Sequence, residues 1–103
     1  MHRISIQYGQ PADAEAFDSH YFDVHVPIAR GLPGLKRFTW SKPRPMGEGA
    51  DAYFIAELWF DSADDLKAAI KSPEMAAAGA DLANMSVASI TMFSGEVNEA
   101  QLG

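Results

Sequence analysis

Cysteine is absent from the 103 residues, which removes disulfides, thiolate metal sites and cysteine nucleophiles together. Cations are scarce as well: eight Lys and Arg face fourteen Asp and Glu, for a formal net charge of −6. Phosphate binding depends on clustered positive side chains, so a nucleic-acid surface is not expected. No run of about 18 apolar residues exists, and no transmembrane helix is expected. The opening "MHRISIQYG" alternates as a strand does and does not pass from a basic to an apolar stretch. It therefore does not read as a signal peptide, and a cytoplasmic location is the expectation. A Gly-rich phosphate loop is missing, which speaks against a nucleotide cofactor. Neither HxxxH nor a carboxylate triad appears, so neither a metal nor another cofactor is expected.

What is present is the balance of an ordinary globular chain, with 48% hydrophobic and 21% charged residues. Residues 1–103 read as a single domain. A domain this small gains from burying a second surface in a partner.

The segment "RISIQY" (3–8) alternates apolar and polar residues and predicts a first strand. After "GQPAD", Asp13 is placed to cap a helix whose Phe17, Tyr21, Val24 and Ile28 recur at spacings of four, three and four. Pro27 has no amide for the carbonyl of Asp23, so this helix is expected to kink or open around residues 23–27. Gly31, Pro33 and Gly34 end it. "LKRFTWS" (35–41) predicts a second strand and "KPRPMGEGAD" (42–51) a loop. "AYFIAELWF" (52–60) is almost continuously apolar, the pattern of a central strand buried on both faces. Ser62 opens a second helical region that stops near Lys71 and restarts with Ser72 as cap and Pro73 in the first turn. "VASITMFSG" (87–95) predicts the last strand.

The order β-α-β-β-α-β is the ferredoxin-like arrangement, an α+β fold with an antiparallel sheet and helices on one face only. In strand 52–60 both alternating sets are bulky: Phe54, Ala56, Leu58 and Phe60 on one side, Tyr53, Ile55, Glu57 and Trp59 on the other. Two such faces need two partners. The helices supply one, and a second copy of the sheet would supply the other in a homodimer closed through sheet faces.

The elements "YFDVHVPIARGLPGLKRF" and "SPEMAAAGADLANM", in this order, resemble the EthD-like branch of the dimeric α/β-barrel superfamily across nearly the whole chain. The resemblance implies a ferredoxin-like monomer pairing sheet to sheet. It also implies a small-molecule site between helices and sheet. Relatives on this fold include cofactor-independent monooxygenases, polyketide cyclases, lactone isomerases and haem-degrading enzymes; fold alone does not choose among them. The expectation is a cofactor-independent enzyme, of isomerase, cyclase or monooxygenase type, acting on a small aromatic, polyketide-like or lactone substrate. The alternative is a non-catalytic homodimeric ligand-binding or accessory protein. Haem binding fits poorly with so acidic a chain, since propionates call for nearby cations.

His25 is the leading catalytic candidate, because imidazole can take and give a proton near neutrality. Tyr21, one helical turn earlier, shares its face and is placed to orient the ring or to donate to an oxyanion. The competing reading keeps His25 as a locally satisfied polar group near a helix end and Tyr21 as core. His20 lies five residues from His25, about 140° around a regular helix, and is expected to face solvent, as is His2. Phe17, Trp40 and Phe54 are taken as substrate-binding candidates. Trp40, Tyr53, Phe54, Trp59, Phe60 and Phe93 form an aromatic set that suits a flat ligand, although packing accounts for most of them. Arg3 and Glu57, on neighbouring strands, are expected to pair and to fix register.

Overall fold

The computed structural model describes residues 1–49 and 51–103; Ala50, inside the expected loop 42–51, lies outside the described residues. Four strands, β1 (His2–Tyr8), β2 (Arg37–Ser41), β3 (Phe54–Phe60) and β4 (Ile90–Glu96), form one antiparallel sheet in the order β2-β3-β1-β4. In register, Ile4 faces Leu58 and Ser94, and Ser5 faces Glu57 and Phe93. The period-2 alternation therefore sorts Ile4, Ile6, Tyr8, Phe54, Ala56, Leu58 and Phe60 onto one side, where all are buried. Ile55, Glu57 and Trp59 lie on the other side and are half-buried.

Three strands start later than the sequence suggests: β3 at Phe54 rather than at residue 52, and β2 and β4 for local reasons. Leu35 closes a turn through its amide to the carbonyl of Leu32 (3.4 Å), and Gly34 in that turn has φ +75°, a conformation glycine adopts without strain. Regular β2 therefore begins only at Arg37. Before β4, Val87 forms an isolated bridge with Pro11, and Gly9 donates to the carbonyl of Ser89 (2.8 Å). A Cβ at Gly9 would lie 2.6 Å from Ser89 Oγ, so the two segments meet closely there before regular pairing starts at Ile90.

The helical layer begins with α1 (Ala14–His20), whose N-cap Asp13 accepts from the amide of Ala16 (3.1 Å). A π-helical turn, Tyr21–His25, follows, and then α2 (Val26–Ala29). The amide of Val26 reaches back five residues to the carbonyl of Tyr21, and the turn stands next to the amide-less Pro27. The wide turn carries one residue more than an α-turn, and the buried face shifts accordingly. Phe17, Tyr21, His25 and Ala29 are buried at a spacing of four, whereas Val24 is 41% exposed and Ile28 only partly covered. The expected stripe through Val24 and Ile28 is thus corrected by the extra residue in the turn.

After β3, α3 (Ala63–Ile70) and α4 (Pro73–Asp81) are separated at Lys71 and Ser72, and a 3-10 turn, Leu82–Asn84, ends the layer. Ser72 joins the two helices: its hydroxyl donates to the carbonyl of Ala69 (2.6 Å) and accepts from the amide of Met75 (3.1 Å). On α3, Leu66 and Ala69 are buried and Ile70 is half exposed.

Candidate functional site

Between the helical layer and the sheet lies a cavity of about 420 Å³. Ile4, Ile6 and Tyr8 of β1, Phe38 and Leu58 of the neighbouring strands, Tyr21, His25 and Ala29 of the first helical region and Met75, Ala78 and Leu82 of the second line it, together with Met92 and Ser94 of β4. Few of its lining residues have polar side chains: His25, Tyr8, Tyr21 and Ser94. The walls are otherwise apolar, the arrangement typical of a small-molecule site.

His25 is held from behind. Its Nδ1 lies 2.9 Å from Oδ2 of Asp81, and both side chains are buried. Asp81 also receives His20 Nε2 at 2.9 Å from each carboxylate oxygen, and Asn84 Nδ2 at 3.0 Å. Burial pushes the Asp81 carboxyl up. The hydrogen bonds from Asn84, His25 and His20, with the charge of His20, outweigh that effect and hold it below its ordinary value. Asp81 is therefore ionised at neutral pH and can only accept. Nδ1 of His25 must carry the proton it donates, which leaves Nε2 as the ring's lone-pair nitrogen.

Three features of the sequence produce this arrangement. The π-turn brings residues five apart toward one side, so His20 and His25 converge on a single carboxylate. The expectation that His20 faces solvent is corrected accordingly, and His2, also expected to face solvent, is partly covered and lies 3.6 Å from Glu96. The Ser72 cap fixes where α4 begins and hence where its last residue, Asp81, falls. The 3-10 turn then folds Asn84 back three residues onto that carboxylate. Asp81 did not stand out in the sequence, where it sits in an alanine-rich run; an acidic residue at a helix C-terminus, against the dipole, was the available signal.

The ring of Tyr21 packs 5.3 Å from that of His25 and 4.5 Å from that of Phe54. Tyr8 meets Tyr21 edge-on at 5.7 Å. Burial, then the charge of Asp81, raises the Tyr8 phenol above its ordinary value against a smaller opposing effect of the Tyr21 hydroxyl; burial, then Tyr8, raises Tyr21. Both remain protonated at neutral pH. The Tyr8 hydroxyl is buried and has no hydrogen-bond partner among the described residues.

Phe17, Trp40 and Phe54 are not among the cavity's lining residues. Phe17 and Phe54 belong to the packed aromatic core, at 5.7 Å from each other. Trp40 lies flat on Phe54 at 5.4 Å, with Phe22 at its edge, and is half exposed. Phe54 thus stands between Trp40 and Tyr21. Among the described residues no group of three or more His, Asp or Glu side chains is arranged to hold a metal ion.

The fold and cavity define a ferredoxin-like α+β protein with a small-molecule-sized site under its helices. The family model for the EthD domain matches residues 9–89, and the chain belongs to that family. An uncharacterised 11.0 kDa protein from the thcB–thcC intergenic region of Rhodococcus erythropolis is 41% identical over 94 residues, covering 90% of this chain and 91% of that one. The crystal structure of an EthD family protein from Bacillus halodurans has a TM-score of 0.84 at 33% identity, over 95% of this chain and 99% of that one. Two more distant structures share the fold. A dimeric ferredoxin-like protein of unknown function from Thermobifida fusca has a TM-score of 0.68 at 17% identity, with 93% and 89% covered. The cofactor-independent oxygenase SnoaB of Streptomyces nogalater has a TM-score of 0.65 at 18% identity, with 96% and 93% covered. No helix among the described residues is long and apolar enough to cross a membrane.

Proposed function

We propose that this protein is a cytoplasmic, homodimeric, cofactor-independent enzyme that moves a proton on a small apolar substrate, aromatic, polyketide-like or lactone in class, with His25 as general base and acid. The observation that carries the reading is the pairing of His25 Nδ1 with the buried, ionised Asp81 at the wall of an apolar cavity. Asp81 fixes the tautomer and stabilises the imidazolium that forms when Nε2 takes a proton. Abstraction from a carbon next to a carbonyl leaves an enolate, and return of that proton to another carbon completes an isomerisation without any co-reactant. Cyclisation begins with the same abstraction. A monooxygenase reaction does too, with dioxygen accepting electrons from the substrate carbanion, and the fold shared with a cofactor-independent oxygenase supports that branch. Tyr21 positions the imidazole through ring packing and supplies a second phenol.

The test is deuterium incorporation. In D₂O, the wild type is expected to exchange the α-hydrogens of members of a panel of aromatic ketones and lactones, followed by proton NMR. His25→Ala should abolish that exchange. Asp81→Asn should slow it by roughly 10²- to 10⁴-fold. Exchange that survives His25→Ala unchanged would remove the histidine from the mechanism. A non-catalytic binding protein is the second reading, favoured by the burial of His25 against the Tyr21 ring; it predicts ligand binding with no exchange at all.

A further inference from the structure

We propose that Gly79 is a specificity-determining position: it leaves open a gap between α4 and β4 through which a flexible apolar chain of the ligand runs from the cavity to the surface. This rests on the cavity being the site described under the proposed function, and it adds that the ligand carries a chain reaching beyond the interior.

Two independent observations carry it. The first is where the cavity is open. Its lining residues Ile4, Tyr8, Tyr21, His25, Ala29 and Leu58, on β1, β3 and the first helical region, are buried. Those that are exposed, among them Ile70, Gly79, Met92 and Ser94, all lie at the end of α3, on α4 or on β4. β4 is an edge of the sheet with β1 as its neighbour, so no further strand among the described residues closes that side. The cavity therefore runs from the buried His25 to a mouth between α4 and β4. The second is Gly79 itself. It follows an alanine run inside α4, where glycine is less favourable than alanine. A lone glycine inside a helix usually answers a close approach by another group. Among the described residues none supplies one, for a Cβ on Gly79 would meet nothing within 4 Å. Met75 and Leu82, which share its helix face, line the cavity as well. The missing side chain thus leaves space at the mouth.

The mouth also defines what passes through it. Met92 stands opposite Ile6, on the helix side of the sheet, and with Ile70 and Met75 it makes an aliphatic rim. Thioether side chains adapt to irregular apolar shapes, which suits a flexible chain. The reacting head of the ligand lies further in, beside His25 and the tyrosine rings.

A ligand series with one head and a growing chain tests this: acetophenone, butyrophenone, hexanophenone and octanophenone. Titrations of the isotope-labelled protein by heteronuclear NMR at neutral pH give the dissociation constants and show which amides move. Affinity is expected to rise about three- to fourfold with each added methylene, and the amides of Gly79 and Met92 should respond only to the longer members. Gly79→Leu, which favours the helix and fills the gap, should leave acetophenone within about twofold and weaken octanophenone about tenfold or more. Met92→Thr, which removes the opposite wall, should likewise weaken octanophenone and spare acetophenone. An affinity that levels off beyond butyrophenone, equal effects of Gly79→Leu on short and long members, or no binding of the series would overturn the proposal. Turnover plays no part in these readouts. Absence of α-hydrogen exchange would remove the catalytic reading and leave the chain-length order standing, whereas exchange that depends on His25 together with a flat series would sink this inference alone.

Discussion

Asp81 is the residue on which the site depends, since three side chains from two parts of the chain donate to its two oxygens. Its carboxyl lies below its ordinary value in the folded protein, so the unfolded chain binds a proton there more readily in acid. The resulting stability is fully present above the unfolded value of about 4, and it is lost as the pH falls through the depressed folded value. Asp81→Asn places an amide donor among donors and should cost about 2 kcal/mol at pH 7. In denaturant melts the gap between variant and wild type should shrink steadily below pH 4. A gap that stays constant down to pH 2 would mean that the carboxylate charge contributes nothing to folding.

At the scale of elements, the helix that carries the two histidines shows how far local signals reach. The cap at Asp13, the break around Pro27, the stop at Gly31 and the restart at Ser72 were all legible, because each depends on residues within four positions. That Pro27 disturbs the helix was readable; that the disturbance takes the form of a π-turn at residues 21–25 was not. The difference decides the site, for one added residue in the turn exchanges Val24 for His25 on the buried face and brings His20 round to Asp81. The pairing of residue 81 with residues 20 and 25 spans more than fifty positions and follows from helix packing that no local pattern records. The same limit explains Phe17, Trp40 and Phe54: aromatic character marked them as ligand candidates, but only packing tells which rings face the cavity and which face one another. Ser72 is the element that sets α4 in place, with its hydroxyl bonded to both helices it separates. Ser72→Ala removes a buried cap and should cost about 1 to 2 kcal/mol by urea denaturation. It should also weaken ligand binding in the cavity, whereas Asp13→Ala, which removes an exposed cap on α1, should cost about 1 kcal/mol and leave binding unchanged.

On the scale of the whole molecule, the sheet has one face under helices and, among the described residues, one with none. The uncovered face carries Ile55, Trp59 and Phe93, the last 56% exposed, among polar groups of which several pair with one another. Arg3 Nη1 and Glu57 Oε2 are 2.7 Å apart, Trp59 Nε1 donates to Thr39 Oγ1 at 3.0 Å, and the guanidinium groups of Arg3 and Arg37 lie over the Trp59 ring at 5.5 and 5.1 Å. Where charges and donors pair within the face, as Arg3 with Glu57 and Trp59 with Thr39, a copy of the face can cover them without leaving those groups unmet. Sheet-to-sheet pairing about a twofold axis would cover the apolar residues of both copies and use the same patch on each. The expected mass in sedimentation equilibrium at micromolar concentration is therefore twice the monomer's 11.2 kDa. Phe93→Glu puts two like charges into the contact, one from each copy, and should shift the population to monomer while the circular dichroism spectrum keeps its form. Glu57→Ala tests the second half of the argument. It leaves Arg3 without its partner, so dimerisation should weaken severalfold, and the added substitution Arg3→Met should restore it. A wild-type monomer at micromolar concentration, or a double variant no better than Glu57→Ala alone, would show that this face is built for water rather than for a second copy.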